Sequence, residues 1–341
     1  MLQRFLAGGL LLALLSSGCK HGESDRAFYY WKTTFTIPPG MEDRLEQMNV
    51  RKLYIRFFDI SWDEATQKAL PVGRISFKTK IPKDFTVTPV VYITNKTFLN
   101  VEFTKLPLLA DNLLLLVNRD ALDNSINYSE LQTDCDWTEL TRQKYFEFLR
   151  LLKTRLTRQH SSLSVTIRLH QVKYPIFTGV PPADRGMLMF YNMGKLSAEG
   201  SNSIYNPVVA DKYVKYVSVY PLPLDAALPC FSWVVHSRSS KITELLNNIT
   251  TDDLLDSSNF TTLKNGMFSA THSFFLHGSY FMKDDKVRAE RVDPQLCLEA
   301  ARQLSPELMP NKRSVAIFHL DSTLIQKTEN NDFETIYRSF R

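Results

Sequence analysis

The chain has 341 residues, of which 44% are hydrophobic and 23% are charged, so it is long enough for one large domain or two smaller ones. Its net charge of +5 comes from Lys and Arg residues that are spread along the chain, with no basic stripe and interleaved aromatic residues. This pattern argues against nucleic acid as a partner. The composition is that of an ordinary globular protein.

The chain begins with one positive charge, Arg4, and an apolar run over residues 5–15 that is too short to span a bilayer. Such a start is typical of a secretory signal. The segment LSSGC, which ends at Cys19, resembles the lipobox of bacterial lipoproteins, in which the cysteine is acylated and becomes the first mature residue. An ordinary secreted protein is the alternative.

The lipobox resemblance implies a division of the amino-terminal region. We expect residues 1–18 to be a lipoprotein signal peptide and residues 19–26 to be a tether, with the barrel domain described below over residues 27–341. Acyl chains on Cys19 would make membrane lipid a partner and would place the protein in the bacterial cell envelope, anchored to a membrane.

Strand-like and helix-like segments alternate after the tether. Short runs of aromatic and β-branched residues predict the strands, and the clearest amphipathic helix spans residues 138–156. The predicted strands cover residues 27–35, 52–60, 85–94, 130–135, 163–172, 186–194, 217–224 and 314–322.

Eight apolar strands interleaved with helices favour an α/β fold in which a parallel sheet closes into a (β/α)8 TIM-like barrel. A doubly wound open sheet is the alternative. Such a sheet usually carries a glycine-rich phosphate-binding turn after its first strand, and the chain has no GxGxxG and no GxxxxGK.

Two regions interrupt the alternation, residues 61–84 and residues 239–313. The first lacks a convincing helix and is expected to decorate the barrel. The second has helical stretches at 241–255 and 294–304 and a predicted β-hairpin within 271–293, turning at Lys283-Asp284-Asp285-Lys286. We expect it to be an excursion beside the barrel, between the seventh and eighth strands.

Polar side chains gather where the predicted strands end, which is where (β/α)8 barrels carry their binding sites. Side chains alternate along a strand, so Asp134 and Asp136 share one face of the fourth strand. The candidate catalytic residues are Asp134, Asp136 and Asp225. The candidate substrate contacts are Asp59, Trp137, Arg168, His170, Tyr191 and Asn192.

Each candidate carboxylate also has a structural explanation. Asp136 fits a capping box at the start of the fourth helix, although Thr138 could cap instead. Asp134 could form a structural ion pair with Arg168, or it could be a pocket carboxylate whose ionisation that arginine stabilises. Asp225 could cap a turn. In the same way, His170 could be an acid/base or a hydrogen-bonded wall of the pocket.

Aromatic residues also lie near the predicted strand ends. Their flat faces suit sugar rings, which present apolar faces and hydroxyl rims. Several of them could instead belong to the core, and the sequence favours the core for Trp31 and Trp233. The set is Trp31, Trp62, Tyr92, Trp137, Tyr191 and Trp233.

Three cysteines follow Cys19, namely Cys135, Cys230 and Cys297. An odd number of widely spaced cysteines in a chain with its own core does not suggest a disulfide framework. Cys135 and Cys230 lie in apolar runs and are most simply buried thiols. The chain has no CxxC and no HExxH, so we expect no metal and no cofactor.

The segments QTDCDWT, TIRLHQ, GVPPADRGMLMFYNMG and YPLPLDAALPCFSW together resemble an uncharacterised family of bacterial envelope proteins related to glycoside-hydrolase-type TIM barrels. The resemblance covers residues 28–240. Barrel glycosidases commonly carry an acid/base on the fourth strand and a nucleophile on the seventh, usually both glutamates. This chain has aspartates in those places.

Two hypotheses follow. The first is a carbohydrate-active hydrolase of the cell surface, in which Asp134 or Asp136 acts with Asp225 as the carboxylate pair across a sugar. The second is a non-catalytic glycan-binding or envelope-assembly lipoprotein on the same barrel. Whether these aspartates open to one pocket distinguishes the two.

Overall fold

The computed structural model describes residues 24–198, 200–308 and 313–340. The predicted signal peptide and Cys19 lie outside them. Within these residues eight parallel strands form a closed ring, because the first strand pairs with both the second and the eighth. The predicted (β/α)8 barrel is confirmed. Its strands are β1 Asp25–Tyr30, β2 Lys52–Asp63, β3 Thr86–Ile93, β4 Glu130–Asp134, β5 Ser162–Arg168, β6 Arg185–Met189, β7 Leu224–Pro229 and β8 Ser314–Phe318.

Helices surround the ring and bury an apolar stripe against it. In the helix after β3, for example, Leu109, Leu113, Val117 and Ala121 recur every four residues and are buried. No helix in the described part of the chain is long and apolar enough to cross a membrane. The helices around the barrel are Met41–Gln47, Asn95–Asn100, Leu106–Asp123, Arg142–Arg158, Leu169–Lys173, Pro175–Thr178, Pro207–Val214, Pro294–Leu304, Ser322–Lys327 and Asn330–Arg338.

The observed strands differ from their predicted bounds by up to seven residues, and for β5 and β7 the sequence gives the reason. β5 ends at Arg168, where the side chain of Gln171 accepts the backbone N–H of Arg168 and a short helix begins, so His170 lies on a helix and not on the strand. β7 begins seven residues later than predicted. Pro221 and Pro223 have no backbone N–H to give to a sheet, and the strand forms only after them.

Residues 61–84 decorate the carboxyl-terminal rim of the barrel. β2 runs beyond the ring to Asp63 and pairs with the antiparallel strand Lys68–Val72. A short strand, Thr34–Phe35, pairs in parallel with Ser76–Phe77 and holds the following loop against the barrel.

The excursion between β7 and β8 is larger than the predicted hairpin. It is an antiparallel sheet of five strands that begins at Ser232, and it has its own apolar core around Leu254, Phe260, Phe281 and Val287. In sheet order the strands are Lys241–Leu246, Ser232–Arg238, Lys286–Arg291, Met267–Ala270 and Phe260–Thr262.

Two details of this excursion were predicted wrongly. The expected helix over 241–255 is a strand followed by the one-turn helix Thr251–Leu254. The hairpin Phe274–Leu276 and Ser279–Phe281 turns at His277 and Gly278, both with positive φ, instead of at residues 283–286. Glycine adopts such angles without strain, which fixes the turn there.

Asp225 lies at the amino-terminal end of β7, so its predicted place at the mouth is wrong. It is 2% exposed and accepts hydrogen bonds from Arg185 Nη2 at 2.7 Å, from Arg185 Nε at 3.0 Å and from the backbone N–H of Ser314 at 2.7 Å. One carboxylate therefore ties β6, β7 and β8 together at the bottom of the barrel.

We predict that Asp225→Ala lowers stability by about 3 kcal/mol, because it leaves the Arg185 guanidinium without its carboxylate. Asp84→Ala is the control, since Asp84 is 74% exposed and 4.0 Å from Arg51. Urea titrations of the two variants measure the difference. Equal free energies of unfolding would contradict the structural role of Asp225.

A second prediction concerns pH and the excursion. Burial acts to raise the pKa of Asp285, but hydrogen bonds from Arg238, from the Met282 N–H and from His236 outweigh it and lower the pKa to about 2. The folded-state pKa lies below the ordinary value, so this stabilisation is present above about pH 4 and is lost as the pH falls to about 2.

Thermal melts of the wild type and of Asp285→Asn test this. We expect the wild type to be the more stable protein at about pH 5, with the difference between the two melting temperatures shrinking towards about pH 2. A difference that does not change with pH would show that the ionised carboxylate contributes nothing.

Candidate functional site

The carboxyl-terminal mouth of the barrel has a charged half and an aromatic half. β2 to β5 end in aspartates, arginines and a tyrosine, whereas aromatic side chains follow β6, β7, β8 and β1. Because the ring is closed, these two halves face each other across one opening.

The charged half is centred on Arg168, the last residue of β5. Its Nε donates to Asp136 at 2.6 Å and its Nη2 donates to Asp134 at 3.2 Å. Asp134 is 4% exposed and also accepts a bond of 2.5 Å from Thr166 Oγ1, whereas Asp136 is half exposed. The ion pair that the sequence suggested for Asp134 is present, and a second carboxylate joins it.

This arrangement shifts the pKa values of Asp134 and of the neighbouring Tyr92. Burial raises the pKa of Asp134, the Arg168 guanidinium opposes that shift, and the negative charge of Asp136 adds to it. Burial also raises the pKa of Tyr92 to about 12, with further contributions from Asp136 and Asp134. One guanidinium thus compensates two carboxylates, and Asp136 presents the exposed edge of the cluster to solvent.

Asp59 is held in the same half by Arg56. Three residues apart, the two would face opposite sides of a regular strand, but β2 has a bulge between Arg56 and Phe58. Arg56 Nε donates to Asp59 Oδ1 at 2.7 Å, and the guanidinium lies 6.0 Å from the ring centre of Trp31. The predicted contact residue Asp59 is therefore at the mouth, beside the aromatic half.

The aromatic half is a continuous cluster that we call the aromatic floor. Phe318, the last residue of β8, is its centre and is half-buried. Its ring centre lies 5.2 Å from that of Tyr191, 5.4 Å from that of Phe231 and 5.8 Å from that of Trp31, and Phe231 is 5.5 Å from Trp233. The floor consists of Trp31, Tyr191, Phe231, Trp233 and Phe318.

A buried carboxylate fixes the outer edge of the floor. Glu290, opposite Trp233 on the neighbouring strand of the excursion, accepts the Trp233 indole N–H at 2.8 Å. It also accepts the backbone N–H and the hydroxyl of Ser203, which follows β6. The excursion and the β6 loop together therefore hold Trp233 in place.

The structure brings most predicted site residues together. Asp59, Asp134, Asp136 and Arg168 lie in the charged half. Three others lie nearby: Tyr191 is a buried part of the floor, Asn192 is exposed in the left-handed region with a φ of 53°, and His170 is exposed on its short helix.

Three of the predicted roles do not fit. Trp137 is 1% exposed and donates its indole N–H to the carbonyl of Thr178, so a ligand cannot reach its face. Asp136 is not a helix cap, because the helix begins at Arg142 after Thr141. Asp225 is separated from Asp134 by the length of the barrel.

Sequence reasoning missed part of the aromatic floor. Trp31 and Trp233 were assigned to the core, and Phe231 and Phe318 were not singled out. Phe231 lies in the motif PCFSW, two residues after the true end of β7. A correct boundary for that strand was the signal that could have found it.

The ion cluster leads to a third prediction. Asp134→Ala should lower stability by about 3 kcal/mol, because Arg168 would lose its buried partner, whereas Asp136→Ala should cost about 1 kcal/mol or less because that pair is half exposed. Thermal and urea melts of both variants give the two values. A small loss for Asp134→Ala would show that Arg168 needs only Asp136.

No protein-family model and no curated protein matches the sequence. Solved structures do match over nearly the whole chain. The chitinase of Chromobacterium violaceum has a TM-score of 0.55 at 11% identity, covering 93% of this chain and 98% of its own. The spore cortex-lytic enzyme SleL of Bacillus cereus has a TM-score of 0.54 at 12% identity, covering 93% and 75%.

A third structure is the chitinase-like agglutinin of Robinia pseudoacacia, with a TM-score of 0.52 at 13% identity, covering 92% of this chain and 99% of its own. At these identities the likeness concerns the fold. The chain has the fold of the chitinase-like, glycoside-hydrolase-type TIM barrels.

Proposed function

We propose that this chain is an envelope lipoprotein that binds a polysaccharide at the mouth of its barrel. The observation that carries the proposal is the aromatic floor, in which every ring except Tyr191 is partly exposed, at the opening where barrels of this kind bind ligands. Charged and polar side chains surround it on the facing strands.

The chemistry of the two halves suits a sugar. The apolar face of a pyranose ring can stack on Trp31, Phe318 or Trp233, and its hydroxyl groups can bond with charged groups across the opening. Asp136 offers an exposed acceptor beside Arg168, and Asn192 offers an exposed amide.

The ligand class is taken from the structural neighbours. Their names refer to chitin and to the spore cortex, so chitin oligosaccharides and fragments of spore cortex are the first ligands to test. Binding without cleavage has a parallel in name, because one neighbour is a chitinase-like agglutinin.

Binding fits the mouth better than hydrolysis. Most glycosidases use an acid and a second carboxylate on opposite sides of the bond, about 5–9.5 Å apart. Each aspartate of the charged half has a cationic partner: Asp59 pairs with Arg56, and both Asp134 and Asp136 pair with Arg168.

Hydrolysis is the second candidate, and one observation favours it. Burial raises the pKa of Asp134, and a raised pKa is what a carboxyl group needs to act as a general acid. In that case Asp136 would be the partner carboxylate, since Asp225 is at the far end of the barrel.

A fourth prediction tests the site. Trp31→Ala and Trp233→Ala should each weaken binding of chitohexaose by about tenfold, the loss of roughly 1.4 kcal/mol of stacking. Tyr128→Ala is the control, because Tyr128 precedes β4 at the opposite end of the barrel. Isothermal titration calorimetry measures all three, and unchanged affinity in both tryptophan variants would refute the floor as the binding surface.

Mass spectrometry of the same mixtures separates the two candidates. If the protein only binds, the oligosaccharide remains intact through long incubation. Shortened products that Asp134→Asn abolishes, while calorimetry still detects binding, would replace the binding hypothesis with hydrolysis.

A fifth prediction concerns the anchor. Cys19→Ala in the full chain should abolish incorporation of radiolabelled palmitate and leave the protein unprocessed or released, because no acceptor thiol remains at the cleavage site. Labelling equal to that of the wild type would disprove lipidation at Cys19.

A further inference from the structure

Two buried cysteine thiols meet at the base of the excursion. Cys230 directly follows β7, and Cys297 lies in the helix Pro294–Leu304, which leads the chain back towards β8. The Cys230 side chain is a close neighbour of the Cys297 thiol, and the two residues are 1% and 0% exposed. Neither is in a disulfide in this structure.

The two cysteines lie on either side of the excursion in the chain. The five-stranded excursion begins at Ser232 and ends at Arg291, so the two cysteines flank it on its entry and its exit. The two chain crossings are already held side by side, because the Val292 N–H donates to the Phe231 carbonyl at 2.9 Å. The Cys230 N–H donates to the Phe318 carbonyl at 2.9 Å and fixes the first crossing to β8.

We infer that Cys230 and Cys297 form a disulfide that fastens the base of the excursion when the chain is in an oxidising compartment. The inference rests on the proposed export for its setting in the cell, but not for its geometry. Because the two chain crossings lie side by side, the two cysteines can form the bond by rotation of their side chains.

The chemistry is thiol–disulfide exchange with a disulfide donor, either a small-molecule disulfide or a thiol oxidase. One thiolate attacks the donor and forms a mixed disulfide, with one donor sulfur leaving as a thiol. The second thiolate then attacks the protein sulfur and releases the other donor thiol. The two cysteines lose two protons and two electrons, and the donor disulfide gains them.

The burial of the two thiols determines when thiol–disulfide exchange can take place. Burial raises the pKa of the Cys297 thiol well above its ordinary value, so the folded protein presents little reactive thiolate. Exchange therefore belongs to folding or to local opening of the excursion. Once formed, the bond closes a loop that contains the whole excursion, and it limits the freedom of the unfolded chain.

Cys135 is the internal control for this inference. It follows β4 beside Asp134 and Tyr145, is fully buried, and is a free thiol. A general tendency of buried cysteines to oxidise would affect it too, whereas a specific bond would leave it reduced.

The test is equilibration of the purified chain with reduced and oxidised glutathione, followed by alkylation in denaturant and peptide mapping without reduction. We expect a linked Cys230–Cys297 peptide pair, lighter by two hydrogens than the separate peptides, and an alkylated Cys135. Alkylation of all three cysteines under oxidising conditions, or glutathione adducts without the linked pair, would overturn the inference.

The melting temperature gives a second readout. Reductant should lower it by several degrees in the wild type and in Cys135→Ser, and should have no effect on Cys297→Ser. The mapping experiment needs no variant, so it decides the matter even if Cys297→Ser folds poorly. Equal melting temperatures for oxidised and reduced wild type would contradict the fastening role.

The setting in the cell is tested separately. The chain recovered from bacterial envelopes should contain the linked pair, and a version that lacks residues 1–18 and stays in the cytoplasm should contain free thiols. A bond that forms in glutathione buffer but is absent from the envelope sample would refute the export part of the proposal and leave the geometry intact.

Discussion

The pairing of β1 with both β2 and β8 is the constraint on which the rest of the structure depends. A parallel sheet that closes has no edge, so every strand end is fixed relative to every other. That closure sets the charged half of the mouth opposite the aromatic half. The last helix supports it, because Glu334 forms an ion pair with Arg26 of β1.

The two ends of the barrel use similar ion pairs for different purposes. At the bottom, Asp225 is buried and saturated by Arg185 and a backbone N–H, which suits a structural bond. At the mouth, Arg168 pairs with two carboxylates, the buried Asp134 and the exposed Asp136. The exposed carboxylate can exchange its arginine contact for another hydrogen-bond donor, which the buried carboxylate at the bottom cannot do.

The alternation of eight strand-like segments with helices, together with the absence of a glycine-rich phosphate-binding turn, was enough to predict the barrel from the sequence. The same pattern correctly joined Asp134 to Arg168, because they end neighbouring strands. It failed where local chemistry overrides periodicity: two prolines delay β7 and move Asp225 to the wrong end. It also failed for the aromatic floor, since an aromatic residue in a core and one at a mouth look alike in sequence.

The hydrogen bond from Trp233 to Glu290 bears on how the mouth of the barrel can change in evolution. The outer wall of the mouth is supplied by residues 232–291, a sheet with a separate apolar core that joins the barrel through two adjacent crossings. The segment is an insertion between β7 and β8 that has a sheet and an apolar core of its own. Exchange of this segment would reshape the outer wall while the eight strands and the charged half stay unchanged, so the shape of the mouth and the stability of the barrel can evolve, or be engineered, separately.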